Sequence, residues 1–307
     1  MKNLWILLIG LLVIVNPILA QPVISDELMK FYTAEWSGER TKDGRPKVSD
    51  ELLERLKNIS IEEVWGVLRG EGFHNQFEGG WKMLHEGEAF VGRALTAQYM
   101  PLRPDVNKRI LDEGHENGQL GASNSWPIDA LQNGDVYVAD CFSKVINGTL
   151  IGDNLGNAIY SKSKTGVIFD AGARDLEGLS KIEGFNAFVR DWDPSYLTET
   201  MLTGINCPIR VGRATVFPGD AILAKDEGVI FIPPHLLEKV VITSEFIGLK
   251  DTFGHQMLRE GVYTPGQIDG KWSDDIKEAF LKWVDANPDK VPMSRKELDE
   301  YLKNRTW

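Results

Sequence analysis

Residues 153–175 read DNLGNAIYSKSKTGVIFDAGARD, and the way this stretch is parsed decides the fold. Gly152-Asp153-Asn154 has the composition of a helix start, since Asp and Asn cap well and first-turn N–H groups lack intrahelical partners. Such a terminus can hold a carboxylate or a phosphate. Asn154–Lys164 continues as a helix, and Gly166–Asp170 is a short buried strand, β-branched and aromatic. Ala171-Gly172-Ala173 is small enough to let the backbone turn. Arg174 and Asp175 then emerge just past the strand's carboxyl end, where α/β sheets tend to hold ligands.

The same alternation extends in both directions. Phe90–Tyr99, Asp135–Asp140, Ile209–Val216, Ala221–Leu223 and Val229–Ile232 are apolar runs set off by Gly and Pro, and each is expected to be a strand. Asn133-Gly134-Asp135 and Pro218-Gly219-Asp220 are turn signals directly before strands. Asp226-Glu227-Gly228 marks a hairpin-like turn. Upstream, Ser49–Lys57 and Ser60–Arg69 are capped amphipathic helices, the second with an S-x-x-E box at Ser60 and Glu63. The expected organisation is an N-terminal arm and helix at 21–59, an α/β domain at 60–248, and a helical extension at 249–307. Within the extension, Leu249–Arg259, Asp274–Ala286 and Ser294–Asn304 have helical patterns.

Met1–Ala20 stands apart. Lys2, an unbroken apolar run from Leu4 to Val15, and a small residue at Ala20 make a secretory signal peptide, with an uncleaved membrane anchor as the other reading. The protein is therefore expected to be exported, into the periplasm if it is bacterial. The 307 residues carry a net charge of −11 and no Lys/Arg run, which argues against a nucleic-acid surface. Cys141 and Cys207 are the only cysteines. They could pair in an oxidising compartment, but both read as small buried apolar residues. The five histidines fall in no ligand spacing, and CxxC, HExxH and Gly-x-Ser-x-Gly motifs are missing from the sequence.

Five segments, taken in order, resemble the RraA-like family, which includes class II 4-hydroxy-4-methyl-2-oxoglutarate aldolases and the regulator of ribonuclease E activity A. They are FVGRALTAQYMP at 90–101, NGDVYVAD at 133–140, IGDNLGNA at 151–158, GVIFDAGARD at 166–175 and VFPGDAILAKDEGVIFIP at 216–233. The resemblance spans about residues 60–245 and implies a swivelling-type β/β/α domain, with stacked sheets and flanking helices, assembled as a homotrimer. Aldolases of the family carry an acid, twenty residues, then Arg-Asp, and this chain keeps that spacing in Asp153, Arg174 and Asp175. By resemblance, Asp175 binds a divalent metal directly and Asp153 reaches it through water. Arg174 binds the keto or enolate oxygen, and the Gly152-Asn154-Leu155 turn holds the carboxylate of a pyruvate unit. Because sites of the family lie between subunits, Asp226 or Glu227 is a candidate to complete a neighbour's site. The methyltransferase activity also ascribed to the family would need a Gly-rich nucleotide loop with a ribose-binding acid, and the sequence shows none.

Elementary chemistry agrees with that implication. Breaking the bond beside a 2-oxo acid leaves a pyruvate enolate, whose charge a hard divalent ion can take up. Mg²⁺ commonly uses one or two carboxylates and keeps several waters, Mn²⁺ tolerates the same ligands, and missing His or Cys pairs argue against zinc. Arg suits a planar anion because its fork of donors stays charged. The sequence thus predicts a metal-dependent pyruvate lyase, either an aldolase or an oxaloacetate-type decarboxylase, acting on a small 2-oxo acid. The competing expectation is an exported scaffold that kept the fold and lost the chemistry. Export would separate the protein from ribonuclease E. Two further departures from the family are Val64-Trp65, where a Ser-Asp pair is expected, and the added tail.

Overall fold

A computed structural model describes residues 22–304, and the expected signal segment lies outside them. The helix anticipated in the opening stretch runs Asp153–Ser163, and Lys164 closes it in the left-handed region at φ 58°. The chain then enters the strand Val167–Ala173, every residue of which is buried. Here the expectation needs correction, because Ala171-Gly172-Ala173 is not a turn but the second half of the strand. The neighbouring strand Asp135–Thr149 bulges between Asp140 and Thr149, and its backbone crosses close over the small residues. A Cβ on Gly172 would stand 3.1 Å from the Val145 carbonyl oxygen. Small side chains are thus needed for close approach, and the strand carries Arg174 further than a turn at residue 171 would.

Four strands run parallel side by side in the order Phe90–Pro101, Asp135–Thr149, Val167–Ala173 and Ala187–Trp192. Ala221–Lys225 and Gly228–Ile232 extend the sheet antiparallel beyond Phe90–Pro101. Thr200–Ile205 pairs antiparallel with the far end of that same strand. Side chains alternate faces along every strand, as period-two backbone requires. Ala94, Val136, Val138 and Ile168 point to one face, where Ile209–Val211 and Ala214–Val216 lie on them as a small second sheet. The single strand expected over Ile209–Val216 is therefore a hairpin. Leu95, Tyr137, Phe169 and Val189 point to the other face and meet Trp126, Ile159 and Leu179 from the crossover helices. Hairpin, sheet and helices form the β/β/α layering that the family resemblance implies.

Two further features frame the domain. The N-terminal arm is pinned by Arg45, whose side chain is fully buried, with Nη2 at 2.7 Å from Asp135 and Nε at 2.8 Å from Asp43. At the other end, the helix expected at Leu249–Arg259 starts twelve residues earlier and runs unbroken over Leu237–Arg259. Val240 and Val241 pack into the domain beside Leu53 and Val64, whereas Phe246 and Phe253 join Phe280, Trp283 and Trp272 in a separate aromatic cluster. Arg55 ties the pieces together, at 2.6 Å from Glu245 and 2.9 Å from Glu297. Both cysteines are free; Cys141 is buried, but Cys207 is only partly so. Among the described residues no helix is long and apolar enough to cross a membrane.

Candidate active site

The strand Val167–Ala173 and the helix Asp153–Ser163 are consecutive elements, so the strand's exit and the helix's start lie at the same end of the sheet. The Arg174 backbone N–H bonds to the Ile151 carbonyl at 3.0 Å and locks the two segments together. Between them opens a cleft of about 220 Å³, lined by Asn154, Leu155, Arg174, Asn124, Thr149 and Tyr196 among others. Gly152, not Asp153, is the helix N-cap, and Asp153 is the first helical residue. This differs from the expected cap because Asp153 uses its carboxylate one residue on, accepting the Asn154 N–H at 2.8 Å. One of the amides expected to receive a substrate carboxylate is therefore engaged by the chain's own acid.

Asp175 follows Arg174 in the left-handed region at φ 59° and caps the short helix Leu176–Leu179. Asp is among the few non-glycine residues that tolerate this conformation. The turn folds its carboxylate back over Gly152: a Cβ there would lie 2.1 Å from Asp175 Oδ2. Asp153 lies in the same way against Gly178, with Oδ2 at 2.6 Å from where a Cβ would stand. Gly152, which lines the cleft, thus leaves room for the Asp175 carboxylate and Gly178 for that of Asp153, and neither carboxylate is itself among the lining residues. Arg174 Nη1 stands 3.4 Å from Asp175 Oδ2, with each side chain 35 % exposed. A pair this open contributes roughly 0–1 kcal/mol to stability, so holding the fold together does not explain it.

Among the described residues no group of three or more His, Cys, Asp or Glu side chains could cage an ion. Two partly open carboxylates are instead the sparse, hard donor set that suits Mg²⁺ with several waters retained. The donor chemistry is of the kind the expected metal takes, which Asp175 would hold directly and Asp153 through water.

The structure adds residues that the motif does not contain. Arg174 Cζ lies 5.1 Å from the centre of the Tyr196 ring, which belongs to residues 193–199 and walls the cleft with Leu197. Asn124 lines another side and donates to the Leu150 carbonyl at 2.7 Å. No spacing in the sequence connects these positions to Arg174. The nearest signal is the turn-forming Asp193-Pro194-Ser195 directly before an aromatic residue.

Within one subunit, Asp226 and Glu227 do not reach the cleft. Asp226 accepts the Gly87 N–H at 2.8 Å, and Glu227 lines a different cleft of about 410 Å³ with Trp65, Arg69, His74 and Arg213. Val64 is buried in the core, and Trp65 opens onto that second cleft rather than onto Arg174.

A three-layer domain with an arginine-bearing cleft at the strand ends is a mixed α/β protein. Residues 46–231 match the RraA-like family, described as Aldolase/RraA, and the chain belongs to that family. An uncharacterized protein from Pseudomonas syringae has a similar structure, with TM-score 0.61 and 19 % identity over 76 % of this chain and 98 % of that one. Streptomyces coelicolor RraAS2, described as an unusual member of the RNase ES inhibitor RraA family, gives TM-score 0.56 and 23 % identity, covering 70 % and 98 %. At these identities the likeness is one of fold. Protein DlpA of Legionella pneumophila is 25 % identical over 198 residues, which is 62 % of this chain and 29 % of DlpA. The chain therefore matches less than a third of that relative's length.

Proposed function

We propose that this protein is a divalent-metal-dependent lyase that releases pyruvate from a 2-oxo acid, by retro-aldol cleavage of a 4-hydroxy-2-oxo acid or by decarboxylation of an oxaloacetate-like one. The observation that carries the reading is that Arg174 and the start of helix Asp153–Ser163 line one cleft, with the Asp175 carboxylate packed against Gly152 in its wall. Asp175 would hold the ion directly and Asp153 through water. When bound, Mg²⁺ or Mn²⁺ would supply a hard positive charge for the oxygens on which negative charge develops.

The chain's own groups do the rest. Arg174 offers planar, permanently charged donors to the keto oxygen. The helix start offers N–H groups and the positive end of its dipole to the carboxylate. Asp153 lies on the Asn154 N–H, so its carboxylate must swing away before that amide is free for substrate. In this reading the protein is an exported homotrimer, and Asp226 or Glu227, exposed within one subunit, is the candidate to complete a neighbour's site.

The test is pyruvate release by purified protein with added Mg²⁺ or Mn²⁺, repeated with chelator. Activity indifferent to chelator would sink the proposal. Arg174→Lys keeps the charge but loses the fork, and turnover should fall by one to three orders of magnitude, about the loss of one oxyanion donor. Asp175→Asn should cost more, and a variant with unchanged metal dependence would relocate the site. If no oxo acid is turned over yet pyruvate with metal raises the unfolding midpoint, the protein is a binding scaffold.

A further inference from the structure

Helix Ile61–Gly70 turns an aromatic residue outward. Ile61, Val64, Val67 and Leu68 form its buried stripe, and Trp65 stands outside it, 43 % exposed even with Arg69 against the ring. Arg69 follows one helical turn on, with Cζ 4.6 Å from the indole centre. The pair opens on the cleft of about 410 Å³ noted above, within the ~300–1,000 Å³ of small-molecule sites. The same cleft repeats the arrangement. Arg213 Cζ lies 5.5 Å from the Phe77 ring, and its Nε donates to the Phe77 carbonyl at 3.1 Å.

Four charged residues line this cleft, Arg69 and Arg213 with Glu62 and Glu227, and all four are exposed to a guest. Among the described residues no ion pair joins any two of them. Arg213 reaches only Glu78, at 3.7 Å, and Glu78 is not in the lining. Stacking on a ring leaves a guanidinium's in-plane donors open, so the cleft offers unused donors and unused acceptors together. A simple anion would use the arginines and be repelled by the glutamates, and a simple cation would meet the reverse. A ring with several hydroxyls and one carboxylate uses both sets. Its hydroxyls donate to glutamate oxygens, its carboxylate takes an arginine fork, and its C–H face covers the exposed indole. An amino-acid zwitterion matches the signs, but it brings one compact donor group to two glutamates where a sugar brings several hydroxyls.

We infer that this cleft binds a sugar acid, with Arg69 as the anchor for the carboxylate and Trp65 as the platform for the ring. Its lining shares no residue with that of the Arg174 cleft, so the inference stands apart from the lyase reading. Glu227 is committed here, which leaves Asp226 as that turn's acid for a neighbouring subunit.

Three ligands separate the cases: glucuronate, glucose, which has a hydroxymethyl in place of the carboxylate, and phenylalanine, an aromatic zwitterion without hydroxyls. Calorimetric titration of the full protein should give glucuronate a Kd of about 1 mM or lower, with the other two at least roughly tenfold weaker. Arg69→Gln should bring glucuronate to within about twofold of glucose, whose own binding stays unchanged. Trp65→Ala should weaken both sugars by roughly threefold to tenfold. Both positions are exposed, so circular dichroism and melting midpoints should stay near wild type. Glucose or phenylalanine binding as tightly as glucuronate overturns the inference, as does binding of none of the three. Sugar binding untouched by both variants overturns it as well, by placing the site elsewhere. A lower solution mass for Trp65→Ala, with no sugar bound by the wild type, would make this face a subunit contact instead.

Discussion

At Gly152 the chain needs space rather than backbone freedom. Its φ of −121° and ψ of −168° are extended values open to any residue, yet a Cβ would collide with Asp175 Oδ2 at 2.1 Å and crowd Arg174 Nε at 3.3 Å. Gly152→Ala should therefore leave the fold intact while pushing the carboxylate off its place. We expect circular dichroism and the melting midpoint to stay near wild type, and Mg²⁺ affinity by titration to fall on the order of tenfold or more, the scale of a disturbed ligand environment. Unchanged affinity would show that Asp175 does not need this position to bind metal. Asp153, Arg174 and Asp175 could be read from sequence because a single helix–strand crossover carries all of them. Tyr196 could not. It reaches Arg174 on the segment 193–199, which Ser195 ties to Asn147 (φ 58°) in the bulge of strand Asp135–Thr149, and none of this leaves a periodic trace.

Among the elements, the turn Pro218-Gly219-Asp220 shows how a reading can be right in kind and incomplete in energy. Asp220 was expected as a turn residue, and it does accept the Phe217 N–H at 2.8 Å. It is also only 2 % exposed, and burial pushes its carboxyl up to about 8 from an ordinary 3.8. The folded state thus keeps a proton that the unfolded chain releases. This contribution to stability is fully present below about pH 4, is lost as pH rises, and is gone above about pH 8. Asp220→Asn retains an acceptor for Phe217 and removes the titration. Urea midpoints at pH 5 and pH 8 should differ less in the variant than in the wild type; an equal difference would place the titration elsewhere. The strands flanked by glycine and proline were legible because their apolar runs are clean. Ala187–Trp192 was not, because Arg190 and Asp191 interrupt it after three apolar residues. Arg190 belongs there because it bonds the buried Asp170 at 2.6 Å and Glu78 at 2.9 Å, a pairing that sequence spacing does not reveal.

Over the whole molecule, a mixed α/β domain followed from alternation, its layering from the family resemblance and the tail helices from their caps; Ser294 and Glu297 do form a reciprocal cap, at 3.2 and 2.9 Å. What sequence could not show is that the domain's last helix and the tail's first are one rod, since a change of packing partner along a helix leaves its propensity unchanged. Leu237–Arg259 places Val240 and Val241 in the domain core and, about one and a half and three and a half turns on, Phe246 and Phe253 in the aromatic cluster. Melting should accordingly be one calorimetric transition with matching calorimetric and van't Hoff enthalpies. Phe280→Ala, which empties a fully buried site at a cost of about 3–5 kcal/mol, should lower that whole transition rather than split it. Two resolved transitions would show that the tail melts by itself. A shared rod also governs where the chain can be cut. A protease nicking between residues 241 and 246 would strip one core of its lid and the other of its floor at a stroke, leaving no durable fragment on either side. Limited digestion should therefore nibble at the far end of the tail or consume the molecule entire.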